Sequence, residues 1–151
     1  MLYRKAAFGD VEQMHKLINE YAEQGLMLGR SRNVLYETLR DFIVAEENGQ
    51  VVGVGALLMV WDALAEVRAL AVSPDVKKQG IGREIVQRLV AEAREYGVKT
   101  VFTLTYQPGF FGKLGFTEVT KESLSHKVWK DCINCPKFPN CDEVAMVLPL
   151  E

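Results

Sequence analysis

The stretch Ala69-Leu70-Ala71-Val72-Ser73-Pro74-Asp75-Val76-Lys77-Lys78-Gln79-Gly80-Ile81-Gly82-Arg83-Glu84-Ile85-Val86-Gln87-Arg88-Leu89-Val90-Ala91-Glu92-Ala93 decides how the chain is read. It opens as the end of an apolar strand over Ala65 to Val72, which Ser73-Pro74 terminates because proline has no N–H to give a ladder. It closes as an amphipathic helix in which Ile81, Ile85, Leu89 and Ala93 share one face, with Val86 and Val90 beside them and Gly97 as the stop. Between the two lies a glycine-rich turn. Glycines let backbone come close to a phosphate, and a helix start offers unpaired amides and a partial positive charge. Lys77, Lys78 and Arg83 add cations at the same point, so the segment reads as an anion cradle suited to a pyrophosphate. A plain strand–turn–helix connection is the alternative.

Working outward, Leu2 to Ala6 reads as an edge strand, and Asp10 as a helix N-cap whose side chain accepts from the first-turn amides. Val11, Met14, Leu17, Ile18 and Tyr21 recur at helical spacing. Gly25 and Gly29 break that helix, Leu26 to Asn33 reads as a loop carrying Arg30 and Arg32, and Val34 to Arg40 as a second short helix. Asp41 to Glu46 and Val51 to Val60 flank Asn48-Gly49, a pair that tolerates the positive φ of a tight hairpin. Trp61-Asp62 turns the chain into the Ala65–Val72 strand. Thr100 to Leu104, Phe116 to Val119 and Glu143 to Leu148 are further strands, and Pro108 to Leu114 is a short helix ended by Gly115. The sum is an α+β domain with a central, mostly antiparallel sheet.

Length and charge narrow the function. The chain has 151 residues, enough for one domain with a real core. A formal net charge of −2 argues against nucleic acid, which wants a basic domain. No apolar run is long enough to span a bilayer, and Met1-Leu2-Tyr3-Arg4-Lys5 lacks the features of a secretory signal, so a cytoplasmic protein is expected. Three cysteines, an odd number, cannot form a complete intrachain disulfide set.

Three phosphate-binding patterns compete for the turn. A dinucleotide fingerprint wants a third glycine where Ile85 stands, and parallel strands where a hairpin precedes. A P-loop wants Gly-Lys-Ser/Thr, which is absent. The third is the GNAT superfamily's acetyl-CoA motif: a basic residue or glutamine, two spacers, glycine, a spacer, then glycine or alanine. Lys77-Lys78-Gln79-Gly80-Ile81-Gly82 resembles it, and Phe110-Phe111-Gly112-Lys113-Leu114-Gly115-Phe116 resembles the second family signature. The order of elements is similar over nearly the whole chain. The resemblance implies a single GNAT domain over 1–151, with a mixed, mostly antiparallel sheet flanked by helices. It implies acetyl-CoA as co-substrate, held by Leu70, Ala71, Val72, Lys77, Lys78, Gln79, Gly80, Ile81, Gly82, Arg83, Phe110 and Phe111. More narrowly, Leu64–Val72, Thr105-Tyr106-Gln107-Pro108 and the tail from His126 resemble the short N-acetylglutamate synthase-like enzymes of bacterial arginine biosynthesis. That implies a small-molecule amine acceptor, an acidic amino acid such as glutamate. A homodimer through the C-terminal strands fits the same pattern. Another small amine, a protein N-terminus, or a non-catalytic acyl-CoA sensor are the competing readings.

Three positions depart from the family. Lys77 stands where arginine or glutamine is usual and loses planar two-pronged bonding. Phe111 stands where many members carry a tyrosine that protonates the leaving thiolate, and Leu104 replaces a frequent asparagine. The expected chemistry is attack of an amine on a thioester, which needs the amine neutral. Glu66 is the candidate general base, with an ion-paired or surface carboxylate as its alternative. Tyr106 is a substitute acid or a packed tyrosine. Backbone amides of Leu70 to Val72 stabilise developing negative charge if a bulge splays the strand. Arg30 is the first cation for an acceptor carboxylate, because the loop after the first helix often shapes the acceptor pocket in the resembled family; Arg68, Lys127 and Lys130 follow. In the loop at about 126–142, His126, Cys132, Cys135 and Cys141 suit zinc, an iron–sulfur cluster, a redox pair or simply packed thiols. No metal is assigned to the reaction.

Overall fold

A computed structural model describes residues 1–76, 80–124 and 143–150. Among them are seven strands: β1 Leu2–Lys5, β2 Phe42–Glu47, β3 Gln50–Trp61, β4 Leu64–Val72, β5 Thr100–Thr105, β6 Thr117–Val119 and β7 Val144–Pro149. The helices are α1 Val11–Glu23, α2 Arg32–Glu37, α3 Ile81–Glu95 and α4 Pro108–Gly112. The strand order is β1-β2-β3-β4-β5-β7-β6, antiparallel except where β4 runs parallel to β5. This is the mixed, mostly antiparallel sheet of the expectation. The described chain forms two compact units, Met1–Leu57 with Val67–Glu92, and Leu58–Glu66 with Ala93–Glu151.

In the first unit the sheet carries helices on both faces, and strand alternation sorts the side chains. Val11, Met14, Leu17 and Ile18 of α1 and Leu35 of α2 form one buried cluster with Phe42, Val44, Val54, Ala56, Ala69 and Ala71. The intervening residues of β3 face α3 and include two glycines. A Cβ on Gly53 would stand 2.9 Å from Ile81 Cγ2, and one on Gly55 only 2.6 Å from Ile85 Cγ2 and 3.3 Å from Leu89 Cδ1. The two glycines thus let α3 lie directly on β3, with Ile81, Ile85 and Leu89 filling the space a side chain would take. The Asn48-Gly49 hairpin is as expected, with φ of 53° and 79° and Glu47 paired to Gln50.

Several expectations need correction here. Asp10 precedes α1 but does not cap it: its carboxylate accepts from the Ala7 N–H at 2.7 Å and takes a two-pronged pair from Arg4 at 2.7 and 2.9 Å. The Arg4 guanidinium, with the Ala7 amide, holds the Asp10 carboxyl below its ordinary range against the opposing effect of burial. The second helix begins at Arg32 and ends at Glu37 rather than spanning Val34–Arg40, because Ser31 Oγ caps it by accepting the Val34 N–H at 3.2 Å. Thr38 Oγ1 then turns back to donate to Val34 O at 2.7 Å. The β3–β4 turn is Asp62-Ala63, with Ala63 at φ 56°, and Trp61 remains in β3.

In the second unit, β4 and β5 pair over Leu64↔Thr100, Ala65↔Val101 and Glu66↔Phe102. The connection from α3 to β5 closes at Gly97, φ 80°, where Val98 N–H donates to Ala93 O at 3.0 Å and Gly97 N–H to Arg94 O at 3.1 Å. β5 and β7 pair from Thr100↔Pro149 to Thr105↔Val144. Phe111 of α4 is buried edge-on between Phe110 and Phe116, with ring centroids 5.0 and 5.2 Å away.

The glycine stripe yields a direct test. Gly55→Val forces a branched side chain into the space of Ile85 and Leu89, and the expected loss is about 1–3 kcal/mol of unfolding free energy. Urea denaturation measures it; an unchanged midpoint would show that α3 does not rest on β3 in this way.

Candidate functional site

The end of β4 and the start of α3 both lie in the first unit. Ser73 N–H donates to Val52 O of β3 at 2.8 Å. Because backbone groups alternate along a strand, the N–H and C=O of Val72 and Leu70 face away from β3. Tyr21 of α1 meets the end of β4, donating its hydroxyl to Val72 O. Upstream, Ala69 sits at φ 53°, inside β4. A non-glycine residue in the left-handed region mid-strand breaks the regular pleat, which is the distortion that the expected charge-stabilising role of Leu70 to Val72 requires.

After β4 the chain makes a short turn over Pro74–Val76, with Val76 N–H bonded to Ser73 O at 3.1 Å. Gly80 follows at φ 73°, and its carbonyl accepts the first α3 bond, from Glu84 N–H, at 3.0 Å. Among the described residues, a Cβ at Gly80 would meet no atom within 4 Å. Glycine is therefore required there by backbone conformation and not by packing. Ile81 is buried and anchors the helix, Gly82 is half-buried and Arg83 is exposed. The amides of this first turn precede the helical ladder and are available to an anion. The open glycine and the outward amides of β4 suit the pyrophosphate and the amide-bearing arm of acetyl-CoA. Lys77, Lys78 and Gln79 lie outside the described residues.

Glu66 is a buried carboxylate, 6% exposed, opposite Phe102 in the β4–β5 ladder. That removes the surface alternative for it. Arg68, one pleat further, is half-buried and acts on Asp41, together with Lys5 and Glu92. Burial pushes the Asp41 carboxyl up; Lys5 and Arg68 pull against this and Glu92 adds to it. Arg68 thus belongs to a charge group with β1, the start of β2 and α3, whereas Arg30 belongs to the α1–α2 loop.

Arg30 is half-buried, and its backbone is gripped by Asn19 of α1, whose Nδ2 donates to Arg30 O at 2.9 Å and whose Oδ1 accepts Arg30 N–H at 3.2 Å. In the second unit, Tyr106 follows β5 and is half-buried, as is Phe110, while Phe111 is enclosed by aromatic rings. Lys127, Lys130, His126 and the three cysteines lie outside the described residues. A shallow groove along the polar side of α1, lined by residues including Glu12, His15, Asn19, Glu23 and Arg32, contains none of the β4–α3 residues. Asn19 and the Gly53–Gly55 pair carry no site signal in the sequence beyond the Gly-x-Gly spacing on one strand face, and Tyr21 reads there only as part of the apolar stripe of α1.

Comparison with known proteins converges on one family. The acetyltransferase (GNAT) domain family matches residues 38–118. An uncharacterized N-acetyltransferase of Chlorobaculum tepidum is 43% identical over 147 residues, covering 97% of this chain and 95% of that protein. An amino-acid acetyltransferase of Mycobacterium tuberculosis is 37% identical over 131 residues, 85% of this chain and 75% of the other. A crystal structure of a Mycobacterium tuberculosis protein in complex with CoA and NLQ superposes with a TM-score of 0.89 at 33% identity and covers 100% of both chains. N-acetylglutamate synthase from Neisseria gonorrhoeae, complexed with coenzyme A and N-acetyl-glutamate, gives 0.91 at 28% identity, over 99% of this chain and 35% of that one. With the left-handed Ala69 in β4, the glycine turn and these relatives together, the chain belongs to the GNAT family and is an acetyl-CoA-dependent N-acetyltransferase.

Proposed function

We propose that the acceptor is the α-amino group of an amino acid, with glutamate first in line, and that the product feeds arginine biosynthesis. The observation that carries this is Arg30: a cation in the α1–α2 loop whose backbone N–H and C=O are both held by one side chain. A guanidinium carried on a held backbone suits a carboxylate, which it can take with two parallel bonds. The amino-acid acetyltransferase relative and the synthase bound to N-acetyl-glutamate support the same acceptor class.

Acetyl-CoA supplies the acyl thioester; the chain holds it and readies the amine. In this reading Gly80, Ile81, Gly82 and Arg83, with Lys77, Lys78 and Gln79, take the pyrophosphate. The outward amides of Leu70 and Val72 take the pantetheine arm and stabilise the thioester oxygen as it gains charge. Ala71 lies between them, in the α1-facing core. Glu66 accepts the proton of the attacking amine, directly or through one water. The leaving thiol has an acidity near that of cysteine, roughly pKa 8.5, so an acid at its side is the lesser need. Phe111, packed between two rings, serves shape and not proton transfer; Tyr106 is the nearer candidate in the sequence. Arg68 acts on Asp41 beside β4, and Arg30 is the first cation for the acceptor, with Lys127 the next in this reading.

The acceptor is tested by following release of the CoA thiol with glutamate, glutamine, other amino acids and a peptide amine side by side. Glutamate-dependent release, with the mass of N-acetylglutamate in the product, is expected. Release only with a peptide or a non-acidic amine would discard glutamate and keep the enzyme. Glu66→Gln should leave CoA affinity nearly unchanged and slow turnover about a hundredfold. The loss should be largest at low pH and shrink at high pH, where the amine is neutral without help. Rates like those of the parent across pH would remove Glu66 from the base role.

A further inference from the structure

The polar side of α1 does more than face solvent. Asn19 spends its whole amide on backbone: Nδ2 donates to His15 O at 2.8 Å, one turn earlier, and to Arg30 O at 2.9 Å, while Oδ1 accepts the Arg30 N–H at 3.2 Å. One residue before Arg30, a Cβ on Gly29 would stand 2.7 Å from Asn19 Oδ1, closer than nonbonded atoms approach. Asn19 can therefore grip the loop only while residue 29 is glycine. Directly after Arg30, Ser31 caps α2, and Arg32 pairs with Glu12 of α1 at 2.6 and 3.0 Å. The backbone of Arg30 is thus fixed from both sides, to α1 before it and to the α2 start after it. A loop that merely connects two helices needs neither the asparagine nor the bare glycine.

We infer that Asn19 and Gly29 are positioning residues that form a clasp and set the Arg30 side chain for the acceptor's carboxylate. This rests on the reading of Arg30 given above, and the test separates the two. The asparagine touches no reacting atom; it acts through Arg30. Its loss should weaken acceptor binding, leave acetyl-CoA binding alone, and have no effect once Arg30 is gone.

The experiment compares Arg30→Gln, Asn19→Ala, Gly29→Ala and the double variant Asn19→Ala/Arg30→Gln in steady-state kinetics. The acceptor is whichever of L-glutamate, L-glutamine and L-aspartate turns over fastest. Asn19→Ala and Gly29→Ala should each raise the acceptor KM about tenfold, the effect of one to two hydrogen bonds. The kcat should stay within about threefold and the acetyl-CoA KM unchanged, the signature of lost acceptor binding. The double variant should be no worse than Arg30→Gln alone, because both changes remove one interaction. Multiplied effects in the double variant, or an unchanged acceptor KM in Asn19→Ala while Arg30→Gln raises it, would overturn the clasp and leave Arg30 in its role. An unchanged KM in Arg30→Gln, or no turnover with any of the three acceptors, would overturn both. Melting curves check that each variant is folded, and Gly29→Ala, which keeps Asn19, carries the test if Asn19→Ala is not.

Discussion

Everything in the first unit depends on how closely α3 lies against β3. The helix can sit there because Gly53 and Gly55 present no side chains, and Ile81, Ile85 and Leu89 occupy the room. The consequence reaches the site. Ile81 is both a packing residue and the first residue of α3, so the contact that stabilises the helix also fixes where its unpaired amides begin. Gly80, next to it, has no atom of the described residues within 4 Å of where a Cβ would stand and a backbone conformation that other residues rarely adopt. A buried packing residue and an open glycine are thus neighbours in one turn.

The second element of the site is a strand that does not behave as one. β4 continues the sheet, yet Ala69 interrupts its pleat, and Val72 gives its carbonyl to the hydroxyl of Tyr21 in α1. Tyr21 and Asn19 lie two residues apart on α1 and make unlike contacts: one bonds the end of β4, the other the loop bearing Arg30. One helix thereby touches both the end of β4 and the loop bearing Arg30, and its apolar stripe, buried against Phe42, Val44 and Val54, keeps it in place. Glu66 adds a buried carboxylate on β4 itself, costly to desolvate and therefore strongly dependent on its surroundings.

How much of this the sequence carried follows from the kind of signal each feature leaves. Periodicity shows the α1 and α3 stripes plainly, and Asn48-Gly49 announces its hairpin because few other pairs accept two positive φ angles. The strands came out within one or two residues of their bounds. What failed was local competition and tertiary fit. Asp10 has the chemistry of a cap, but Arg4 claims it; Ser31 was passed over as loop although it caps α2. Ala69 carries no mark of its left-handed conformation, since alanine is at home almost anywhere else. Arg68 reads from its spacing as a partner of Glu66 or a cation for a substrate carboxylate, and what the fold adds is its charge acting on Asp41. The turn ahead of α3 was legible from Gly80, which takes a positive φ there, and the need for Gly53 and Gly55 appears only when α3 is laid on them.

The most direct test of the account is the affinity for coenzyme A of the parent protein and of Gly80→Val, measured by isothermal titration. A side chain at Gly80 meets no atom of the described residues, so the fold should survive, while the positive φ is strained and the approach of a phosphate blocked. Micromolar-range binding is expected in the parent and a loss of about tenfold or more in the variant, which stays folded with its stability lowered only by the backbone strain, about 1–3 kcal/mol. Equal affinity in the two proteins would contradict the placement of the cofactor at the β4–α3 turn.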